Sequence, residues 1–433
     1  MPKWLITVNQ NFDILQQTAV VVSDGKISQI LPISELPTHP ELDAAIKVEL
    51  PDHILMPGLI NTHTHAAMSL LRGFADDLPL MDWLTDHIWP AEAKWVDHDF
   101  IRDGVSLAAA EMIRSGTTCF NDMYFFPEIT ARTAQQLGIR AVVGLIVLDF
   151  PTVMAKNADE YLHLAMSTID EIKQFSLVSA AFAPHAPYTV SDEPLKKIAM
   201  YSNELELPVH MHIHETAFEV DEALKNTGMR PLQRLDQLKL INPNLIAVHM
   251  TQLDEFELER LAEAGVNIVH CPESNLKLAS GFCPVDKIQQ QQINLSLGTD
   301  GAASNNDLDM FNEMRSAALL AKGYSQDASA CDAQQSIRMA TINGAKALGL
   351  ADSIGSVEIG KQADLIAIDM NALNTQPVYD PVSQLVYAAN SHQVSHVWID
   401  GFCKLDKGSF TDLDQQQILS NVAQWAAKMG QAT

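Results

Sequence analysis

The chain has 433 residues, of which 47% are hydrophobic and 19% are charged, a composition typical of folded globular proteins and not of disordered ones. With 28 Lys and Arg against 54 Asp and Glu, the formal net charge is −26. This acidic excess disfavours nucleic acid and anionic membranes as partners, because both are bound through clustered cations. Neutral or zwitterionic small molecules remain open as ligands.

The five cysteines are widely spaced and form no CxxC pair, so we expect reduced thiols and not a disulfide framework. The N-terminus turns polar within its first residues and lacks the apolar stretch of a signal peptide. The longest apolar run, residues 141–148, has only the length of a strand. We therefore expect a cytoplasmic protein that contacts no membrane. A homo-oligomer stays open.

Both ends of the chain are predicted to be β. Short runs rich in β-branched residues occur at 4–8 and 18–22, and again at 363–368 and 394–399. Asp24-Gly25 predicts a tight hairpin turn after the second run. Neither end is long enough for a self-sufficient sandwich. We therefore expect residues 1–57 and 355–433 to pair into one small β-sandwich domain.

The middle of the chain, residues 58–354, alternates short apolar strands with longer amphipathic segments. The eight predicted strands lie at 59–61, 117–120, 141–148, 178–183, 208–212, 245–249, 267–270 and 294–297. Eight such units on one chain predict an α/β protein built as a (β/α)8 TIM barrel. A doubly wound sheet is the alternative. It gains no support, because no GxGxxG fingerprint or Walker-A loop is present.

Histidines and a carboxylate gather where the predicted barrel strands end. His63 and His65 follow the first strand as His-Thr-His, His185 follows the fourth, His249 ends the sixth and Asp300 follows the eighth. The carboxyl ends of barrel strands form the rim on which catalytic groups lie. Two imidazoles at i and i+2 on an extended segment point to the same side and can share a metal ion. The sequence therefore predicts a metal site at the rim.

The fifth strand runs into Val-His-Met-His-Ile-His-Glu at residues 209–215. His210, His212 and His214 all face one side of a strand, so the periodicity does not say which of them binds metal. His212 and His214 lie near the rim, whereas we interpret His210 as an inward core histidine. Glu215 begins the following loop and is placed to act as a general acid or base.

Three motifs resemble the amidohydrolase superfamily: PGLINTHTH at 57–65, His212-x-x-Glu215, and LGTDG at 297–301. Three longer stretches, 65–83, 272–278 and 299–315, resemble the 5-methylthioadenosine/S-adenosylhomocysteine deaminase group of that superfamily. The resemblance covers nearly the whole chain, including the terminal β segments. Parts of these motifs are shared with triazine hydrolases and guanine deaminases.

The resemblance implies four metal ligands, His63, His65, His212 and Asp300. It also implies that Glu92 and His185 contact the substrate. Members with two metals bridge them with a carboxylated lysine after the fourth strand, where this chain has Ala-Pro-His-Ala-Pro and no lysine at 183–187. We therefore expect one zinc ion per subunit. Substrate-contacting arginines of other members are replaced by apolar residues at 143–147, which disfavours a charged substrate tail.

Three neutral imidazoles and one carboxylate suit zinc and leave a position for water, whose pKa such an ion lowers to about 7. In the predicted mechanism Asp300 takes a proton from the water, His249 orients the water, and Glu215 protonates the ring nitrogen next to C6. Asp300 and Glu215 thus also touch the substrate. The predicted reaction is hydrolytic deamination of an adenine nucleoside to its hypoxanthine analogue and ammonia. The expected substrates are 5′-methylthioadenosine, S-adenosylhomocysteine and adenosine.

Two other classes of function stay open. One is another amidohydrolase, such as a guanine deaminase or a triazine hydrolase, which product identification would reveal. The other is a non-catalytic metal-binding protein. It is disfavoured because a ligand shell alone needs neither Glu215 nor His249.

Overall fold

Five strands open the chain in the computed structural model, which describes residues 1–39 and 42–430. They are β1 (Pro2–Ile6), β2 (Ile14–Gln16), β3 (Thr18–Ser23), β4 (Lys26–Pro32) and β5 (Leu50–Pro57). β3 and β4 pair antiparallel across Asp24-Gly25, which confirms the predicted hairpin. Both turn residues have positive φ, as tight hairpin turns require. β1 lies between β2 and β5, antiparallel to the first and parallel to the second.

Eight parallel strands follow and form one sheet in strict chain order. They are β6 (Leu59–Thr64), β7 (Thr117–Tyr124), β8 (Arg140–Val147), β9 (Val178–Pro184), β10 (Val209–Ile213), β11 (Leu245–His249), β12 (Asn267–His270) and β13 (Asn294–Leu297). The first and last strands lie side by side. The Thr62 hydroxyl donates to Leu297 O at 2.7 Å, and Asp300 N–H donates to His63 O at 3.0 Å. The predicted (β/α)8 barrel is confirmed.

Helices connect consecutive barrel strands, and three further helices follow the last barrel strand. They are α1 (Leu80–Asp82), α2 (Trp89–Trp95), α3 (His98–Arg114), α4 (Pro127–Leu137), α5 (Ala158–Ile172), α6 (Asp192–Leu205), α7 (Ala217–Thr227), α8 (Pro231–Gln237), α9 (Glu255–Ala264), α10 (Pro272–Lys277), α11 (Val285–Gln290), α12 (Met310–Ser325), α13 (Ala333–Met339) and α14 (Ile342–Ala347). A π-helical stretch, Trp83–Ile88, joins α1 to α2. Polar side chains cap the amino ends of several helices, as Thr216 does for α7 and Asp254 does for α9.

The C-terminal segment returns to the first strands. Its elements are β14 (Leu365–Asp369), α15 (Pro381–Tyr387), β15 (Val394–Ile399), β16 (Phe402–Asp406), β17 (Ser409–Phe410) and α16 (Gln415–Gly430). These four strands join β5, β1 and β2 in one mixed sheet of seven. Leu5, Ile27 and Leu365 belong to a buried cluster between that sheet and the β3–β4 hairpin. The small sandwich built from both termini is therefore confirmed.

The predicted boundaries of the two units, residues 57/58 and 354/355, stay a prediction, and residues 40–41 and 431–433 lie outside the described part of the chain. At the amino end of the barrel, Arg140 donates to both oxygens of Asp364 at 2.9 and 3.0 Å and so ties β8 to the terminal sheet. Among the described residues, no helix is long and apolar enough to cross a bilayer. The five cysteines are free, and four of them are buried.

Candidate active site

The four predicted metal ligands meet at the carboxyl end of the barrel. Nε2 of His63 lies 3.2 Å from Nε2 of His212 and 3.2 Å from Oδ1 of Asp300. Nε2 of His65 lies 3.2 Å from the same carboxylate oxygen. These separations match the edge of a tetrahedron, about 3.3 Å, whose centre lies about 2.0–2.1 Å from each ligand atom, as in zinc sites. The donor set therefore fits one zinc ion.

Each of these imidazoles is held through its other ring nitrogen. His65 and His212 donate from Nδ1 to backbone carbonyls, at 2.8 Å in the case of His212. Nδ1 of His63 lies 2.9 Å from Nε2 of His210, which is fully buried. A proton on Nδ1 leaves the Nε2 lone pair free for a metal ion. His210 thus lies inward, as predicted, and orients His63 from behind.

Asp300 is oriented so that one carboxylate oxygen faces the imidazoles. Its other oxygen, Oδ2, accepts hydrogen bonds from the hydroxyls of Ser274 at 2.6 Å and Ser304 at 2.9 Å. Burial works against ionisation, but the hydrogen bonds and charges of His63 and His65 hold the pKa of Asp300 well below its usual value. The carboxylate is therefore ionised and fixed in direction.

Glu215 and His249 lie beside this cluster. Glu215 follows β10 and is 7% exposed, and its Oε2 lies 3.8 Å from Nε2 of His249. Burial raises the pKa of Glu215, which suits a general acid at neutral pH. His249 ends β11 with a backbone φ of +76°, its ring stacks on His212 at 5.5 Å, and its Nδ1 lies 2.9 Å from Oδ1 of Asn275.

A cavity of about 510 Å³ opens over these groups, a size typical of small-molecule sites. Glu215, His249, His185 and Asp300 line it at the metal site. Aromatic and aliphatic side chains form most of the remaining wall, among them Trp83, Trp89, Leu148, Phe150 and Val153. None of the described residues that line it is a lysine or an arginine. The cavity is suited to a flat, largely uncharged ligand.

Glu92 is a buried carboxyl group in the same cavity, 9% exposed. Its Oε1 accepts a hydrogen bond from the Tyr124 hydroxyl at 2.7 Å. Burial raises the pKa of Glu92 to about 7, while that hydrogen bond acts in the opposite direction. Among the described residues Glu92 forms no ion pair with the nearby cations Arg72 and Lys94, because Arg72 pairs with Glu111 and Lys94 lies over the Trp95 ring.

His185, the second predicted substrate contact, also lines the cavity. Burial lowers the pKa of His185 to about 3, so its imidazole is neutral. Its Nδ1 lies 3.1 Å from the Thr189 hydroxyl, and its ring packs edge-on against His212 at 4.9 Å. The structure therefore places seven of the eight predicted site residues on the wall of one cavity, and the eighth, His63, is fully buried next to His212.

Several residues around the site were not predicted from the sequence: Tyr124, Glu219, Ser274, Asn275 and Ser304. The last three lie within stretches 272–278 and 299–315, so the motifs already marked their positions without indicating their contacts. Tyr124 ends β7, and its position at a strand end was the available signal. The only sequence signal for Glu219 was its position four residues after Glu215.

The chain matches the profile of the amidohydrolase family over residues 54–403. The chain belongs to the amidohydrolase family. It is 49% identical over 427 residues to a 5-methylthioadenosine/S-adenosylhomocysteine deaminase of Saccharophagus degradans, covering 99% of this chain and 95% of that one. Membership in that deaminase group, predicted from the motifs, is confirmed.

Solved structures are similar over nearly the whole chain. An adenosine deaminase from Xanthomonas campestris with bound zinc has a TM-score of 0.95 and 49% identity, covering 99% of this chain and 98% of that one. An atrazine chlorohydrolase from Arthrobacter aurescens has a TM-score of 0.90 over 98% of both chains at only 21% identity. The second likeness shows the fold alone.

Proposed function

We propose that the protein hydrolyses the 6-amino group of adenine nucleosides, with 5′-methylthioadenosine, S-adenosylhomocysteine and adenosine as candidate substrates. The observation that carries this proposal is one cavity that joins a zinc-type ligand set, the acid Glu215 and the buried carboxyl of Glu92. The relatives at 49% identity are named for the same class of reaction.

We propose His63, His65, His212 and Asp300 as the ligands of one zinc ion per subunit. Their nitrogen and oxygen atoms lie within 3.2 Å of one another in the pairs described above, which supports this assignment. An ion bound there would supply Lewis-acid chemistry and make water nucleophilic at neutral pH.

The side chains around the ligand set divide the proton transfers between them. Asp300 is ionised and can accept a proton from the attacking water, which His249 orients through Nε2. Glu215 donates a proton to the ring nitrogen next to C6, because its raised pKa keeps it protonated closer to neutral pH. The ring rather than an isolated anion then accommodates the charge when C6 becomes tetrahedral. Ammonia leaves, and the hypoxanthine analogue remains.

We propose that Glu92 binds the ribose of the substrate. Tyr124 occupies one side of Oε1, and the remaining lone pairs of the carboxylate can accept from the paired 2′ and 3′ hydroxyls. His185 is the second proposed substrate contact, as a neutral imidazole. The wall at Leu148 and Phe150 is apolar and suits a methylthio group at the 5′ position better than a phosphate.

The test compares ammonia release and the ultraviolet change from adenine to hypoxanthine for methylthioadenosine, adenosine, 2′-deoxyadenosine, adenine and AMP. We expect methylthioadenosine and adenosine to react well and adenine and AMP poorly. Loss of one hydroxyl contact to a charged acceptor should lower kcat/KM about ten- to a hundredfold. Glu92→Ala should remove the preference for ribose over deoxyribose.

The alternatives are outcomes of the same experiment. Free adenine or AMP outperforming methylthioadenosine on the wild type would contradict the proposal, as would an unchanged ribose preference in Glu92→Ala. Turnover of guanine or a triazine instead would support another amidohydrolase. Absence of all turnover with zinc fully loaded would support a non-catalytic metal-binding protein.

A cytoplasmic location is part of the proposal and is supported by the free, mostly buried cysteines. The expectation that neither nucleic acid nor a membrane is a partner is supported by the net charge of −26. A homo-oligomer stays a prediction.

A further inference from the structure

Glu219 is a buried carboxylate next to the site that the proposed reaction does not use. It lies in the first turn of α7 and is only 7% exposed. Its Oε1 accepts a hydrogen bond from His214 N–H at 3.0 Å, and its Oε2 accepts one from Glu215 N–H at 2.8 Å. The neighbouring charge that bears on it is the carboxylate of Glu215, which is repulsive. Both oxygens are therefore used to bind the backbone that carries Glu215.

That backbone has an unusual conformation. His214 has a φ of +53°, in the left-handed region that residues other than glycine rarely adopt. Consecutive N–H groups beside such a residue can turn to one side and form a concave site for an anion. Here the anion is the carboxylate of Glu219. Its two hydrogen bonds compensate for the strain of the turn.

The same turn is held from its other side by Thr251. The Thr251 hydroxyl donates to Glu215 O at 2.7 Å, and Thr251 N–H donates to His214 O at 3.0 Å. Among the described residues the Glu215 side chain itself has only long polar contacts, 3.5 Å from the Ser280 hydroxyl to Oε1 and 3.8 Å from His249 Nε2 to Oε2. The direction of the Glu215 carboxyl group is therefore set by its backbone and not by partners of the side chain.

A carboxylate is a costly choice for a buried position that lacks a cation. Burial raises the pKa of Glu219, and the two N–H groups oppose that shift because they stabilise the charged form. A glutamine of the same shape would offer one acceptor and turn its NH2 donor toward the second N–H. Only a carboxyl group presents acceptors to both.

We propose that Glu219 is a positioning residue that holds the left-handed turn after β10 and thereby points Glu215 into the cavity. This inference rests on the proposed function, in which Glu215 is the general acid. The N–H of Glu219 in turn donates to the hydroxyl of Thr216 at 3.2 Å, so the start of α7 fixes the distance from helix to turn.

The test is a double-mutant cycle of Glu219→Gln with Glu215→Gln. In the wild-type background we expect Glu219→Gln to lower kcat about ten- to a hundredfold, because a small misplacement of a catalytic group has effects of that order. KM and zinc content should change little. In the Glu215→Gln background the same substitution should lower kcat no further, because the group that it positions is already inactive.

Glu222→Gln is the matched control, since Glu222 lies one turn from the amino end of the same helix and pairs with Lys225 at the surface. It should leave kcat unchanged. If Glu219→Gln does not fold, Glu219→Asp replaces it, which keeps the charge but shortens its reach. The loss of kcat should then be smaller and again absent in the Glu215→Gln background.

An unchanged kcat in Glu219→Gln would overturn the inference. So would a loss of zinc, or a full further loss of kcat in the Glu215→Gln background, because either would show a general structural role. The cycle is run on the best substrate of the wild type, whatever its class. Failure of the nucleoside proposal is then seen in the wild type, and failure of this inference is seen in the cycle.

Discussion

The two ends of the barrel treat buried charge in opposite ways. At the amino end, Arg140 and Asp364 form a two-pronged ion pair, with side chains 10% and 2% exposed. At the carboxyl end, Glu92, Glu215 and Glu219 are buried and, among the described residues, form no ion pair with a lysine or an arginine. Burial raises the pKa of each of these three carboxyl groups. Pairing at one end ties β8 to the terminal sheet, whereas the carboxyl groups at the other end ionise less readily than exposed ones.

Positive φ values occur at both ends of the barrel strands, but in different residues. Before β10 and β13 they belong to the exposed residues Glu206 and Gln292. Just after the strands, at the carboxyl end, positive φ values belong to His214 and Asp300, and His249 at the end of β11 has one as well. Strain of this kind in residues with side chains is concentrated at functional sites. At the carboxyl end the strained residues are therefore buried residues of the candidate site.

The largest expected effect comes from removing ligands at the carboxyl end. His63→Ala combined with His65→Ala should abolish both tight metal binding and turnover, because half of the proposed four-ligand set is lost. Elemental analysis should find one zinc ion per wild-type chain and none in the double variant. Two stoichiometric metals in active wild-type protein would contradict the single site, and a retained ion in the double variant would contradict the ligands.

Glu215→Gln should have the next largest effect. The amide keeps the size of the side chain but cannot transfer a proton, an effect typically about 10²–10⁴-fold in rate. Zinc content should stay near that of the wild type, because Glu215 is not among the proposed ligands. A kcat close to normal would show that another group is the acid, and His249, 3.8 Å away, would be the next candidate.

The ion pair at the amino end should behave in the opposite manner. Arg140→Met leaves Asp364 buried without its partner, which typically lowers the free energy of unfolding by about 3–5 kcal/mol. The folded fraction should keep its zinc and its kcat. The measurement is the midpoint of denaturant unfolding, followed by kcat per bound zinc.

A matched double variant sharpens this comparison. Arg140→Met with Asp364→Asn removes both charges, while the amide oxygen can still accept from Asp400 N–H, a bond of 2.8 Å in the wild type. It should recover most of the lost stability. An unfolding midpoint that stays at the wild-type value in Arg140→Met, or a kcat that falls with full zinc, would show that the two ends are not separable.

The positions of the proposed ligands were predictable because a barrel brings all carboxyl ends of its strands to one rim. Knowing that His63, His185 and Asp300 lie at strand ends was therefore enough to place them together. Periodicity could not show which of His210, His212 and His214 binds metal, because residues two apart on a strand all face the same side. The structure separates them by depth and by the turn, because His210 lies behind His63 and the left-handed φ of His214 directs its Nδ1 to within 3.7 Å of Glu257.

The hydrogen bonds that orient the site were not predictable. Ser274 and Ser304 reach the same oxygen of Asp300 only because α10 and the loop after β13 fold back over the barrel. Such contacts depend on loop paths and side-chain rotamers, which carry no periodic signal. Trp83 and Trp89, in the segment after β6, likewise line the cavity through the path of that segment.

The smallest expected effect concerns Tyr124, whose hydroxyl donates a hydrogen bond to Glu92 and so lowers the pKa of that carboxyl group. The pKa of Glu92 is about 7, so its ionised form, the better acceptor for ribose hydroxyls, is lost as the pH falls through that value. The advantage of adenosine over 2′,3′-dideoxyadenosine should therefore be present above about pH 7 and decline below it.

Tyr124→Phe removes a hydrogen bond that lowers the pKa of Glu92. The decline should then begin at higher pH, and kcat/KM for adenosine at pH 7 should fall a few-fold, on the order of one hydrogen bond. The dideoxy substrate is the internal control, because it offers Glu92 no hydroxyl and should lack this limb in both proteins. If the midpoint of this decline stays in place or moves to lower pH in Tyr124→Phe, Tyr124 does not lower the pKa of a carboxyl group that binds the sugar.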